Sequence, residues 1–279
     1  LNCTGLTHFI TIKGITNTSQ LTKFEKTFKG CSNLKHIDVR GIDTSNATSL
    51  AEMFQLGGEI QARSNGAAFG NTTNINLDLD SVGNGTISNT LSDPLSSLEV
   101  GMRIYIQNTT SADITTIQSI NSQSASGLEF TITSFRSIID NKILRFVKPV
   151  TGVKMIGLHT FDISSLVNNT NKGMNHMLRG VTINSDEVSR CIVAWANNTY
   201  GTSPSATSGA ANSAKLRFDF GTSKFFTGPE LDANNNFSST AIVSAALTTL
   251  TGTNNWLPST NFGDKLVIAE TGSDDTFDF

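Results

Sequence analysis

The stretch that decides the fold is Gly30–Asp43, which reads GCSNLKHIDVRGID. An earlier stretch, Cys3–Ile15, reads CTGLTHFITIKGI and repeats the cysteine, the leucine and the histidine at a spacing of 28 residues. A third stretch, Val153–Asp162, reads VKMIGLHTFD and aligns without gaps on Leu34–Asp43. Self-similarity of this kind predicts an array of stacked structural units.

Each copy is followed by apolar residues at helical spacing, so every unit is predicted to contain a short strand, a polar turn and a helix. Such a unit cannot bury its apolar face alone, and stacking on its neighbours solves this problem. The predicted helix faces are Leu21, Phe24 and Phe28, then Leu50, Met53 and Phe54, then Met174, Met177 and Leu178.

The three motifs Gly30–Leu34, Asp43–Asn46 and Met53–Phe54 together resemble the BspA-like leucine-rich repeat family. Its units carry a GCSNL step, an Asp-Thr-Ser-Asn turn and a helix ending in Met-Phe. The first copy has Thr16 in place of the aspartate, and the third has Val150 at the cysteine position. The resemblance implies a leucine-rich-repeat-like solenoid on a cell or virion surface.

The C-terminal segment, 153–279, is predicted to resume the array and then to cap it. The first part is a helix stripe, Val188, Cys191, Ile192 and Trp195, followed by the alternating strand pattern Leu216–Gly221. Bacterial and phage proteins with BspA-like repeats often end similarly, with a helix containing AWAN, an FGTSKF-like strand, a second helix, a tryptophan and a last strand. The matching residues are Ala194–Asn197, Phe220–Phe225, then Val243, Ala246, Leu247 and Leu250, Trp256, and Leu266–Ala269.

Residues 57–150 break the repeat with glycine-rich turns and then with runs of period 2. Ile75–Leu79, Met102–Ile106 and Phe130–Thr133 are predicted strands, and their spacing favours a small antiparallel sandwich or barrel. The segment Leu98–Ser122 also resembles a β module of phage virion proteins, although Met102 stands where that module usually has aspartate.

The sequence therefore predicts an α+β protein: a short leucine-rich-repeat-like solenoid of strand–turn–helix units, interrupted by a small antiparallel β-sandwich or barrel, with an α/β C-terminal cap. The predicted domains are residues 1–56 for the N-terminal repeats, 57–150 for the inserted β domain, and 151–279 for the resumed repeat and cap.

The composition excludes two classes of partner. Charged residues are 15% of the chain, while Asn, Ser and Thr supply 94 of 279 residues, which suits a β-rich surface protein. The net charge of −3, with no basic cluster, gives no electrostatic reason to expect nucleic acid. No run approaches the roughly 20 apolar residues that a bilayer requires, so no membrane span is predicted.

We predict no enzyme, no cofactor and no catalytic, cofactor-binding or metal-binding residue, because the chain lacks a nucleophile elbow, a Walker loop, a Rossmann glycine pattern and a zinc-protease motif. His8 and His36 recur at the repeat period and are predicted to stack between units. A metal site there would need a third ligand, and the alignment places Met155 at the third position. His159 and His176 fit an exposed face, because their counterparts are Arg40 and Glu52.

Cys3 and Cys31 align and are predicted to form a buried sulfur ladder, with a disulfide between adjacent units as the less favoured alternative. The pattern from Asp78 to Gly85 resembles a calcium loop, but Val82 occupies a ligand position, which favours an ordinary polar turn. Trp195 and Trp256 are predicted to pack in the core rather than to stack on sugars.

The leading functional hypothesis is a non-catalytic structural or adhesive component of an extracellular assembly, namely a phage tail-fibre, tail-tip or head-decoration protein. Its expected partners are other virion proteins, further copies of itself in a homo-oligomer, and a glycan or protein receptor on the host surface. A bacterial cell-surface adhesin of the BspA-like kind is the first alternative. A glycan-cleaving tail-spike enzyme is the second, and it would need a pair of carboxylates in a groove.

Overall fold

The computed structural model describes residues 3–14, 17–64, 75–78, 98–106, 114–123, 128–132, 143–166, 173–174, 176–196, 217–218, 221, 223, 230–231, 237–238, 245–246, 248–250 and 257–258. Parallel and antiparallel sheets with a helix make the protein a mixed α+β chain. Contacts between Cα atoms divide it into two units, Leu1–Leu56 with Val150–Pro258, and Gly57–Pro149.

The strands in chain order are β1 His8–Ile10, β2 His36–Asp38, β3 Ile60–Ser64, β4 Ile75–Asp78, β5 Arg103–Ile106, β6 Ile114–Gln123, β7 Leu128–Ile132, β8 Ile143–Val147, β9 Val150–Ile156, β10 Val181–Ile183, β11 Arg217–Phe218, β12 Glu230–Leu231, β13 Phe237–Ser238 and β14 Leu257–Pro258. Helix α1 spans Ser185–Ala196, and a single 3-10 turn spans Leu158–Thr160.

The first unit is organised by a four-stranded sheet with the order β1-β2-β9-β10, in which all three neighbouring pairs are parallel. Residue Phe9 is in register with Ile37, and Ile37 with Met155. We call the described residues of 3–30, 31–56 and 150–180, which contain β1, β2 and β9, the first, second and third layers. The strands of the three sequence copies therefore lie side by side in one parallel sheet.

The segments predicted to be helices in the three layers are turns, so that prediction is wrong. Residues 23–30, 49–56 and 173–180 run beside one another, joined by the parallel bridges Lys23–Ser49 and Ser49–Gly173. Their N–H groups donate across layers, with Phe24 N to Ser49 O at 2.9 Å and Phe28 N to Met53 O at 2.9 Å. An α-helix would use these groups within its own turn.

One non-glycine residue in each turn segment has a left-handed backbone, at φ values of 59° for Lys26, 56° for Glu52 and 57° for His176. A positive φ interrupts any right-handed helix, because the left-handed region reverses the direction of coiling. Consecutive tight turns bring apolar side chains back to one side every three or four residues. This spacing imitates the helical period and explains the wrong assignment.

The core of the first unit lies between the sheet and the turn segments. Phe28 and Phe54 stack with ring centroids 5.4 Å apart and an interplanar angle of 7°, and Phe9 meets the Phe28 ring edge-on at 4.6 Å. Thus aromatic rings from two layers form one continuous column. The surrounding fully buried side chains include Leu34, Leu50, Met53, Met155, Leu158, Phe161, Met174, Met177 and Leu178.

Helix α1 confirms the predicted helix stripe, since Val188, Cys191, Ile192 and Trp195 are all buried in the core. Core packing of Trp195, which has no exposed area, is confirmed as well. The predicted strand at Leu216–Gly221 contains β11, which pairs in parallel with β14. Ser223 Oγ accepts a hydrogen bond from Ile183 N at 3.0 Å, which ties this C-terminal part to β10.

The second unit is a closed antiparallel barrel with the strand order β3-β4-β7-β6-β5-β8. Strands β4, β5 and β7 lie where period-2 patterns predict them, and most of β6 lies in the segment that resembles the virion β module. Strands β3 and β8 were not predicted, because Ile60–Ser64 follows a glycine-rich turn and lacks a long alternation. The barrel closes through β3 and β8, with Ile60 paired to Phe146.

No helix in the part of the chain that the structure describes has the length and the apolar character needed to cross a bilayer. Trp256 and the predicted strand Leu266–Ala269 lie outside the described residues, as do Asp80–Gly85 of the calcium-like pattern.

Candidate interaction surface

The outward face of the four-stranded sheet brings together side chains that the fold does not bury. Along β1, His8 and Ile10 are exposed, while Phe9 between them packs against the core. This alternation follows from the pleat, because successive side chains of a strand point to opposite faces. We call the side chains of His8, Ile10, Ile12, His36, Asp38, Arg40, Lys154 and Ile156 the sheet face. Of these, Lys154 and Ile156 are half-buried, Asp38 is buried, and the other five are exposed.

The histidines of the sheet face form the stack that the repeat period predicts. The rings of His8 and His36 lie 4.4 Å apart with an interplanar angle of 9°, and Thr7 Oγ1 lies 2.9 Å from His8 Nδ1. The third residue of this row was wrongly identified as Met155. The register pairs His36 with Lys154, and Met155 faces the core beside Ile37. A one-residue shift in register moves a side chain to the opposite face, which is why the gapless alignment failed here.

Two isoleucines form an apolar part of the sheet face that the sequence reading missed. Ile10 is 67% exposed and Ile12 is 57% exposed. Thr11 lies between them and is buried, where its Oγ1 donates to Asp38 O at 2.9 Å and accepts from Gly41 N at 2.8 Å. These two bonds hold the segment against the second layer and keep both isoleucines on the solvent side. The alternation Ile-Thr-Ile after His8 was the available signal.

An ion pair between Asp38 and Arg40 adds charge beside the isoleucines. Arg40 Nε lies 3.0 Å from Asp38 Oδ1, and the Arg40 backbone N donates to the same oxygen at 3.1 Å. Hydrogen bonding by Arg40 lowers the pKa of Asp38 below its ordinary value of 3.8 and raises the pKa of Arg40. Partial burial lowers the pKa of Lys154 on the same face.

This ion pair predicts a small acid dependence of stability. Because the folded pKa of Asp38 is depressed, its contribution is present above the unfolded value of 3.8 and disappears as the pH falls through the folded pKa. We expect Asp38→Asn to reduce the free energy of unfolding by at most about 1 kcal/mol at neutral pH, since Arg40 is largely exposed and solvent screens the pair. The difference from the native chain should shrink in strong acid.

Denaturant unfolding at several pH values, with the variants Asp38→Asn, Arg40→Met and the double variant, measures this coupling. If the single variants show the same pH profile as the native chain, the ion pair does not contribute to stability.

A second polar cluster joins the 3-10 turn to helix α1. The Glu187 side chain is only 4% exposed, and its Oε1 accepts from His159 N at 2.9 Å and lies 2.9 Å from His159 Nδ1. Asn184 Oδ1 accepts from Met155 N at 2.8 Å. Asn184 and Glu187 have the spacing of a capping box, but both side chains bind backbone N–H groups of the third layer instead. The pair thus attaches the helix to the sheet.

The prediction that His176 lies on an exposed face is wrong, because His176 is buried and contacts the fully buried Arg179. His159 is partly exposed, with 21% of its side chain accessible. In the part of the chain that the structure describes, no group of three or more His, Cys, Asp or Glu residues is arranged to hold a metal ion.

The predicted buried sulfur ladder is wrong for one of its members. Cys31 is buried, but Cys3 is exposed, and both are free thiols. In the part of the chain that the structure describes, Cys3 lies in the layer of β1, at the edge of the sheet order β1-β2-β9-β10, whereas Cys31 lies in the layer between β1 and β9. Burial raises the pKa of Cys31, and it raises the pKa of Cys191 within α1 well above the ordinary range.

Comparisons of the chain with family profiles, with curated proteins and with solved structures gave no match. The described geometry itself therefore carries the functional argument. The sheet face combines exposed isoleucines, stacked imidazoles and charges of both signs on a backbone held rigid by hydrogen bonds. An arrangement of this kind suits contact with a broad surface.

Proposed function

We propose that the protein is a non-catalytic structural or adhesive component of an extracellular assembly, and specifically of a phage virion. In this proposal the three layers are the units of a short leucine-rich-repeat-like solenoid, and the barrel is a domain inserted into it. The repeat resemblance of Gly30–Asp43 supports the solenoid, and the resemblance of Leu98–Ser122 to a virion β module supports the phage context.

The observation that carries the proposal is the pair of exposed isoleucines in the sheet face. Large branched side chains exposed side by side on a surface mark interaction sites more often than isolated apolar residues do. Here Thr11 fixes the backbone between them, so a partner would not have to order a flexible segment. His8, His36, Arg40 and Lys154 surround this apolar centre with polar groups, as in the rim of a protein interface.

The layers also have the rigidity that a structural role needs. Backbone hydrogen bonds join neighbouring layers along the sheet and along the turn segments, as in Val39 N to Ile156 O at 2.9 Å and Phe54 N to Met177 O at 2.9 Å. Polar side chains add further bonds, including Thr44 Oγ1 to Asp162 O at 2.9 Å. A scaffold tied on both sides can present an extended surface without local unfolding.

Self-association tests the proposal without knowledge of the host. We expect the purified chain to form symmetric homo-oligomers, and the double variant Ile10→Ser/Ile12→Ser to weaken the association at least about tenfold, because two exposed apolar side chains are lost from the contact. Analytical ultracentrifugation over a range of concentrations measures the dissociation constant.

The matched control is Val100→Ser, which removes an exposed apolar side chain, 60% accessible, from the other unit. Its dissociation constant should equal that of the native chain. A native chain that stays monodisperse and monomeric, and that does not cosediment with virus particles, contradicts the proposal. Equal weakening by both variants contradicts the assignment to the sheet face.

A bacterial cell-surface adhesin would use the same sheet face, but it would be attached to a bacterial cell instead of a virion. Capsid and tail genes beside the coding sequence support the virion proposal, whereas a cell-wall or secretion-sorting segment on the full-length chain supports the adhesin. The glycan-cleaving alternative needs a pair of free carboxylates in a groove. Among the described residues, Asp38 of the sheet face and the nearby Glu187 are both engaged by partners within the fold. Release of oligosaccharides from host glycans by the purified chain would revive that alternative.

A further inference from the structure

Cys3 and Cys31 occupy equivalent places in adjacent layers. Each begins a short turn, in which Leu6 N donates to Cys3 O at 3.1 Å and Leu34 N donates to Cys31 O at 3.0 Å. The two cysteines are 28 residues apart in the sequence, which is the register of β1 on β2, where His8 pairs with His36. The same local conformation and the same spacing therefore place the cysteines opposite each other.

Hydrogen bonds beside the cysteines fix this register. Asn33 Nδ2 donates to Thr4 O at 2.6 Å, and the N–H groups of Lys35 and His36 both donate to Thr7 O, at 3.0 and 3.2 Å. These bonds connect the layers immediately after the two cysteines. The layers cannot slide by a residue without breaking them.

This register implies a separation between the Cα atoms of Cys3 and Cys31 that is suitable for a disulfide. Neighbouring strands lie about 4.8 Å apart, and disulfides usually join Cα atoms that are about 4.4–6.8 Å apart. Cys3 is also close enough to the Cys31 thiol to contribute to the shift in the pKa of Cys31. Residues 3–5 are exposed, so the Cys3 turn can make the small approach that the bond requires.

We propose that Cys3 and Cys31 form a disulfide that joins the first layer to the second in an oxidising environment. The oxidant is a disulfide of low molecular mass such as oxidised glutathione. The exposed Cys3 thiolate attacks one glutathione sulfur, forms a mixed disulfide and releases one glutathione. The Cys31 thiolate then attacks Cys3 Sγ and releases the second. The two protein thiols lose two protons and two electrons, and oxidised glutathione becomes two reduced glutathiones.

Two features of the site shape this reaction. Burial raises the pKa of the Cys31 thiol, so the second step becomes faster as the pH rises. Cys191 is fully buried in helix α1 and has no exposed thiol to begin the exchange, so it stays reduced. The cross-link closes the chain between the two layers and restricts the unfolded state.

The test treats the folded full chain with a glutathione redox buffer, quenches it with acid and counts free thiols after denaturation. The count should fall from three to one, and peptide mapping without reductant should recover the peptides of Cys3 and Cys31 joined. The oxidised chain should melt about 5 °C above the reduced chain, because the bond connects the edge layer to its neighbour.

Two variants separate the steps. Cys31→Ser should accumulate glutathione on Cys3, because the resolving thiol is missing, and Cys3→Ser should keep both of its remaining thiols and gain no thermal stability. If either variant folds poorly, the thiol count and the peptide map of the native chain still test the proposal. Retention of three free thiols, a stable glutathione adduct on native Cys3, or a disulfide between two chains would each overturn the proposal. The inference does not depend on the proposed function.

Discussion

Replacing Phe54 with alanine is expected to lower the free energy of unfolding of the first unit by about 3–5 kcal/mol, the usual cost of deleting a fully buried phenylalanine. Phe54 has no exposed area and stacks on Phe28 at 5.4 Å. Its backbone N–H also donates to Met177 O at 2.9 Å, so Phe54 contacts the first layer through its ring and the third layer through its backbone. The surrounding layers cannot collapse into the cavity without breaking such bonds.

Denaturant unfolding followed by tryptophan fluorescence measures this loss, since Trp195 is buried in the same core and residues 57–149 contain no tryptophan. The control is Phe54→Leu, which keeps most of the apolar volume and should cost about 1–2 kcal/mol. Equal losses for the leucine and alanine variants would show that the stacked ring, rather than the filled volume, stabilises the layers. A loss below about 1 kcal/mol for alanine would contradict the core assignment.

Gly157→Ala is expected to destabilise the first unit by about 3 kcal/mol, for a backbone reason and a steric one. Gly157 precedes the 3-10 turn at φ 87°, where an L-residue with a Cβ is strained. A Cβ at this position would come within 2.9 Å of Arg40 N and 3.1 Å of Arg40 Cα. These are main-chain atoms, so the second and third layers would have to separate to make room.

Gly14→Ala is the matched control for this variant. Gly14 has a similar φ of 84°, but a Cβ there would meet nothing within 4 Å. The control should therefore show the backbone cost alone, about 1 kcal/mol. The difference between the two variants in denaturant unfolding isolates the contact with Arg40. If the two losses are equal, the layers are not tightly packed at Gly157.

Part of the fold could be predicted because the sequence has two kinds of spacing, a repeat of 28 residues and a helical period. The 28-residue spacing from Cys3 to Cys31 predicted the stacking of β1 on β2, and the stripe Val188 to Trp195 predicted α1. The turn segments could not be recognised, since their apolar residues follow helical spacing while their N–H groups bond to the next layer. Spacing along one chain carries no information about which layer receives a hydrogen bond.

The sheet face was predicted only in part, for a related reason. The stacking of His8 on His36 follows from the repeat, but Lys154 in the same row required the register of β9, which the sequence alignment misplaced by one residue. Glu187 has capping-box spacing within its own helix, whereas its carboxylate accepts a hydrogen bond from His159 N in the third layer. Contacts between distant segments depend on register and rotamer, and neither is fixed by local sequence.

The pairing of β3 with β8 has a consequence for the order of folding. The third layer must find the second across 118 residues of chain, as in the bond from Thr44 to Asp162, whereas the first two layers are joined by contacts only 27 residues apart, such as Thr11 to Asp38. For flexible loops, this difference in length alone adds about 1.3 kcal/mol to the entropy of closure.

Once the barrel has folded, however, Ile60 lies opposite Phe146, and the buried Glu59 is paired with Arg145 at the same end. The two ends of the barrel segment, β3 and β8, are then already neighbours. The entropic cost of closing the long loop between the second and third layers therefore becomes small. We therefore expect a barrel that forms early to speed the completion of the parallel sheet.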